Sequence, residues 1–225
     1  KPTDMEGRDG ISSWAWDIEA LVGGLGDSYK IMECGMKAFP TEALTHTHLS
    51  CLLNAMISND LEYSDIKEVR VTCFAQAYDI LFDPTKYRPE SRETADHSLP
   101  YCMAAAMVDK KITTDSFSDE KLKDPRIFEV IDKIKGEPSQ EFEKMFPAKQ
   151  PSRVVVTTND GRTFEEYLEY PKGDPREPMT MDDLENKFNS LAGEKFDTTA
   201  KKQLKETIFN CEEMTASKFM ESLNA

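Results

Sequence analysis

A strand, a tight turn and a second strand follow one another from Val154 to Tyr170, and this hairpin constrains the fold more than any other stretch. Val154–Thr158 and Thr163–Tyr170 are rich in β-branched and aromatic residues, with Asn159-Asp160-Gly161-Arg162 between them. Asp-Gly tolerates the positive φ that a tight turn demands, so the two runs are expected to pair antiparallel. Another strand is predicted at Ile66–Phe74, where Val69, Val71 and Cys73 alternate with Arg70 and Thr72. That period of two marks a half-buried strand. Tyr29–Met36 alternates weakly and is read as a strand as well.

Helices surround these strands. Trp14, Trp16, Ile18, Leu21, Val22 and Leu25 form a short apolar pattern running into Gly23-Gly24-Leu25-Gly26, a helix and then a loop. Phe39-Pro40 forces extended backbone before Thr41, which is expected to cap a helix reaching about Ser58. Ser98 suits an N-cap and Pro100 a first turn, and Cys102–Val108 is apolar or small all round, as in a buried helix ended by Asp109-Lys110-Lys111. Asp124-Pro125 repeats the cap-plus-proline signal ahead of Ile127, Val130, Ile131 and Ile134, with Gly136 as the stop. Tyr87–Thr94, containing Pro89, reads as an ordered loop. Thr180 and Asp183 form a capping box, Gly193 a stop, and Thr198 and Thr215 are expected to cap two further helices.

The expected class is α+β: a small antiparallel sheet with flanking helices and a helical tail. Three parts are expected: 1–28 as the end of a preceding helical domain, 29–176 as the α+β part, and 177–225 as the tail. Leu184, Phe188, Leu191, Leu204, Ile208, Phe209, Phe219 and Leu223 give that tail apolar stripes. Three short helices can bury them only against something else, either the strand domain or a partner domain.

Charge narrows the function. With 28 Lys+Arg against 42 Asp+Glu the net charge is −14, and no basic cluster exceeds a pair, so a polyphosphate partner such as nucleic acid is repelled. An anionic substrate then needs a local positive pocket. Charges interrupt every apolar stretch well short of the roughly 18 residues of a membrane span. Five cysteines, odd in number, widely spaced and without a CxxC pair, point to a reducing compartment, taken as the cytoplasm or, in a eukaryote, the mitochondrial matrix. They supply neither a zinc nor an iron–sulfur ligand set, and Cys51, Cys73 and Cys102 read as inert core thiols. The chain starts at Lys1 without a signal-peptide apolar region and is expected to be a trimmed or processed piece.

Three places carry candidate chemistry. Lys37 precedes a proline-fixed bend at a strand-to-helix junction, where its ammonium and the helix N-terminus together would hold a carboxylate. Glu42 either compensates the helix dipole or orients Lys37 and accepts a substrate hydroxyl. His46 and His48 are two apart and share no helix face, which argues against a two-histidine metal site. In Asp96-His97-Ser98-Leu99-Pro100-Tyr101, either Ser98 simply caps and Tyr101 is a core residue, or His97 and Tyr101 point into one cavity at the start of the buried helix. Lys172, in Tyr170-Pro171-Lys172-Gly173-Asp174-Pro175, reads as part of a linker before it reads as chemistry.

Taken together, Glu6-Gly7-Arg8-Asp9-Gly10, Lys37-Ala38-Phe39-Pro40, Glu93–Tyr101 and the Val154–Pro175 segment resemble the MmgE/PrpD family, which includes 2-methylcitrate dehydratase, cis-aconitate decarboxylase and iminodisuccinate epimerase. The resemblance covers most of the chain. It implies the carboxyl-terminal half of a protein about twice as long, in which an α+β lid and final helices pack on an amino-terminal helical domain absent here. It also implies a cleft between the two domains, a homodimer, a small polycarboxylate substrate and no cofactor or metal. Lys37 matches the family's lid lysine, Tyr101 the tyrosine of the buried helix, and His97 and Ser98 the motif before it. Lys37, Tyr101 and His97 are then the candidate catalytic residues, with Glu42, His46, Ser98 and Lys172 at the substrate. The Phe-Pro-Thr-Glu form at Glu42 looks like the methylcitrate dehydratases, whereas the decarboxylases carry histidine there. β-Elimination of water from 2-methylcitrate or a related hydroxy acid is the expected activity, with Lys37 neutralising a carboxylate and Tyr101 assisting the leaving hydroxyl. A decarboxylase or epimerase of the same family and a non-catalytic binding module are the alternatives. The 225 residues alone are expected to be inactive.

Overall fold

The computed structural model describes residues 22–193 and 195–223. The chain divides into two compact units, one up to Cys34 and one from Gly35 onward. In the first, Gly24 and Gly26 adopt positive φ, and a 3-10 helix spans Lys30–Glu33. The strand expected at Tyr29–Met36 is therefore absent. Its N–H groups bond locally, Met32 N to Tyr29 O and Cys34 N to Ile31 O, because no neighbouring strand offers them a ladder. The helix expected ahead of Val22 lies outside the described residues.

The second unit is built on a four-stranded sheet of order β2-β1-β3-β4, formed by β1 (Ile66–Cys73), β2 (Ile134–Pro138), β3 (Ser152–Thr158) and β4 (Thr163–Leu168). The hairpin forms as expected, with Val156 opposite Phe164 and Gly161 at φ 89° in the turn. β1 pairs antiparallel with β3, Val71 opposite Val154. β2 was expected as the end of a helix. It pairs parallel with β1 instead, Val69 opposite Ile134, so the sheet is mixed rather than wholly antiparallel. Helix α5 (Pro125–Ile131) stops three residues before Ile134, and β1 supplies the partner that makes extended backbone preferable beyond it.

The remaining described helices are α1 (His46–Ser58), α2 (Ala75–Leu81), α3 (Arg92–Asp96), α4 (Leu99–Asp109), α6 (Gln140–Met145), α7 (Met181–Ala192), α8 (Thr198–Phe209) and α9 (Ala216–Ser222). Helix α3 replaces part of the loop expected at Tyr87–Thr94, because Ser91 and Thr94 close a capping box. One face of the sheet, carrying Val69, Val71, Val154 and Val156, is buried, and α1 packs on β3, β4 and α4. Helix α4 lies at the centre of the core, with every residue from Leu99 to Met107 buried. Burying the Leu99, Met103 and Met107 side chains contributes roughly 1.5–3 kcal/mol each. Ser98 caps the helix by accepting from Tyr101 N at 3.1 Å, and Lys110, at φ 54°, ends it.

Two glycines allow close approaches. A Cβ at Gly136 would meet the Phe82 ring at 2.6 Å. At Gly173, φ is 94° and a Cβ would fall 1.9 Å from Met36 O, so only glycine lets the connector lie against the Lys37 segment, where Met36 N bonds Gly173 O at 2.8 Å. The tail begins with the expected Thr180–Asp183 capping box. Asp197 rather than Thr198 caps α8, while Thr215 caps α9 as expected. No residue of α8 or α9 is buried, and Ile208, Phe209, Met220 and Leu223 are exposed.

Candidate functional site

Lys37 lies on an irregular segment, with no strand before it, and its Nζ donates to Thr41 O at 2.8 Å across the Phe39-Pro40 bend. The helix start expected to assist it is taken. Glu42 accepts from Leu44 N at 2.6 Å and caps a 3-10 turn, Ala43–Thr45, so α1 begins only at His46. Thr41 does not cap it; its hydroxyl meets Thr45 Oγ1 at 2.7 Å.

A cavity of about 970 Å³ opens beside Lys37 between α1, the turn after α4, the connector and α7. Lys37, Lys110, Lys111, Lys172 and Lys187 contribute to its wall, with Ser50 and Asp183. Two of these cations are neutralised: Lys172 by Asp183 at 2.8 Å and Lys110 by Glu62 at 2.5 Å. The Lys172 ammonium holds the Asp183 carboxyl down at about 2, helped by Thr180. Lys37, Lys111 and Lys187 make no ion pair with a described residue; Lys187 Nζ donates to Lys37 O at 2.5 Å. Lys187 was not singled out from sequence, because its contact spans 150 residues. Ser50 was not singled out either. It is buried, and its Oγ has no partner in the structure.

His46 is buried against the Phe39 ring, 5.4 Å between centroids, and its Nε2 is unpartnered. Burial first, with the Lys37 and Lys187 cations adding to it and Thr41 opposing it, pushes its imidazole down to about 4. His48 is pushed down to about 3 by burial, its Nδ1 2.6 Å from Ser152 Oγ. Both are neutral at pH 7. Burial likewise pushes the Cys51 and Cys73 thiols up to about 12 and Cys102 up as well, so these cysteines are inert core thiols.

The Asp96–Tyr101 motif lies next door, since Glu42 N donates to Asp96 O at 3.0 Å, but its side chains do not line the cavity. His97 is half-exposed, with its Nδ1 against the Asp96 carboxylate at 2.5 Å and the Glu93 carbonyl at 3.1 Å. Ser98 is a cap: besides accepting from Tyr101 N it donates to Lys86 O at 2.5 Å. Tyr101 is fully buried and donates to Ser116 O at 2.9 Å, and desolvation pushes its phenol well above the ordinary range. The expectation that Lys37, His97 and Tyr101 share one cavity is corrected accordingly. The phenol follows the buried face of α4 toward Ser116, while Lys37 opens toward the tail. Among the described residues no three His, Cys, Asp or Glu side chains converge as metal ligands, and no helix is long and apolar enough to cross a membrane.

Comparison with known proteins identifies the frame in which these groups sit. The model of the MmgE/PrpD C-terminal domain matches residues 39–213. Cis-aconitate decarboxylase of Aspergillus terreus is 25% identical over 214 residues, 92% of this chain and 44% of that protein. Cis-aconitate decarboxylase of Mus musculus is 32% identical over 104 residues, 46% of the chain and 21% of that protein, and that of Homo sapiens is 28% identical over 126 residues, 56% and 26%. The chain spans less than half the length of these curated relatives. With most of its length matched by that domain, the chain belongs to the MmgE/PrpD family.

Proposed function

We propose that this chain is the carboxyl-terminal part of a lyase that acts on a small polycarboxylate. The observation that carries the reading is the Lys37 ammonium, unneutralised on the wall of a ligand-sized cavity, in a chain whose net charge is −14. A cation there binds a carboxylate, and it stabilises the enolate-like carbanion through which both β-elimination and decarboxylation pass. In this reading the proton-transfer group comes from the amino-terminal helical domain, because His97, although the Asp96 carboxylate fixes its Nδ1, stands outside the cavity. In dehydration a base takes the proton α to a carboxylate, the C–O bond breaks, and an acid gives the departing hydroxyl the proton with which it leaves as water. In decarboxylation the carbon–carbon bond to the carboxylate breaks, CO2 leaves, and an acid returns a proton to the carbanion. Tyr101 positions α4 through Ser116 in this reading.

Glu42 favours dehydration of 2-methylcitrate or a related hydroxy acid, whereas the names of the matched relatives support decarboxylation of cis-aconitate at least as well. The open apolar side of α8 and α9 supports completion of the cleft by an amino-terminal helical domain, and a homodimer is part of the same proposal. Full-length protein incubated separately with 2-methylcitrate and cis-aconitate tests the reading. New ultraviolet absorbance from the first substrate establishes dehydration; release of CO2 from the second establishes decarboxylation. The absence of both signals removes the lyase assignment.

A further inference from the structure

Lys187 of the tail helix is an unneutralised cation on the cavity wall, as Lys37 and Lys111 are, and the sequence motifs do not point to it. Its ammonium reaches the Lys37 carbonyl at 2.5 Å, which brings it to the Lys37 segment without cancelling its charge. An ammonium has three donors, so Lys37 and Lys187 each keep donors free after one carbonyl contact. The acids on the wall do not cancel these two cations: Asp183 is held by Lys172, and Glu177 is exposed. Lys37 and Lys187 also act on one and the same imidazole, that of His46, so their fields overlap inside the fold.

We propose that Lys187 forms, beside Lys37, a second carboxylate subsite, so that the tail helix selects ligands carrying more than one carboxylate. The subsite rests on the polycarboxylate reading and deepens it. One carboxylate is held at Lys37, and a second accepts from Lys187 Nζ. Asp183 serves the subsite indirectly, because its pairing with Lys172 ties α7 to the connector that carries Gly173 against Met36.

The test uses full-length protein and tricarballylate, a tricarboxylate with neither a hydroxyl to eliminate nor a double bond, so binding is measured by calorimetry without turnover. A charge-assisted hydrogen bond lost from a ligand weakens binding about 10- to 100-fold, and that is the expectation for Lys187→Gln. Lys187→Arg is expected to bind within about threefold of wild type. Affinity in the wild type is expected to fall with added salt more steeply than in Lys187→Gln, because one charge contact fewer is screened. If Lys187→Gln binds as wild type does while Lys37→Gln does not, the second subsite is refuted and the polycarboxylate reading stands. If Arg fails to restore what Gln loses, charge is not the cause and the subsite is refuted. If the wild type does not bind tricarballylate, both readings fall.

Discussion

Two buried imidazoles give this protein a pH dependence whose size follows from the structure. His46 and His48 are pushed from the ordinary value of 6.5 down to about 4 and about 3, burial being the leading cause in each. In the folded protein both stay neutral at pH 5.5, whereas in the unfolded chain both are largely protonated there. The unfolded state binds more protons, so stability is complete above pH 6.5 and is lost as the pH falls below it. Between pH 7.5 and 5.5 the linkage relation gives about 1.4 kcal/mol for each histidine, about 3 kcal/mol together. Carboxylates contribute little in this window because they remain almost fully ionised in both states. Urea unfolding of wild type, His46→Gln and His48→Gln at several pH values measures the slope. Each single variant is expected to retain about half of the wild-type slope, whatever its absolute stability. A wild-type stability independent of pH over this range, or equal slopes in all three proteins, would refute the reasoning.

Three other outcomes follow from particular contacts. Gly136→Ala sets a methyl 2.6 Å from the buried Phe82 ring, and thermal melts should show a loss of about 1–3 kcal/mol that Phe82→Leu partly recovers; an unchanged melt would mean that β2 is free to shift. Ser98→Ala removes both the α4 cap and the bond to Lys86 O, and denaturant unfolding should register about 1–2 kcal/mol, a change below about 0.3 kcal/mol counting against the cap. Tyr101→Phe leaves Ser116 O unpaired in the core at about 1 kcal/mol, with kcat within a few-fold of wild type; a hundredfold drop in kcat at constant KM would return the phenol to the reaction.

Local chemistry explains which parts were legible. Ser98, Asp124, Thr180 and Thr215 act as caps because each side chain bonds an N–H two or three residues away, a contact written in adjacent sequence. The alternation of β1 and the Asp-Gly turn are local in the same way. Strand β2 was misread because Ile134 continues the apolar spacing of α5, and only the distant β1 draws that backbone into a ladder. Helices α2 and α6 were missed for a related reason: each is one or two turns long and is stabilised by what it packs on, Phe74 of the α2 cap stacking on Phe146 beyond α6 at 4.3 Å.

At the site the division is sharper. Motif and charge were enough to single out Lys37 and the Asp96–Tyr101 turn and to imply the α+β class and the family, since these depend on residue type and spacing. The direction of each side chain was decided in three dimensions. Glu42 turned to cap its own 3-10 turn, Tyr101 turned inward to Ser116, and Lys187 arrived beside Lys37 from the tail. A side chain's partner depends on which backbone the fold brings within about 3 Å of it. For contacts that span up to 150 residues, that is a property of the packed chain and not of any stretch read alone.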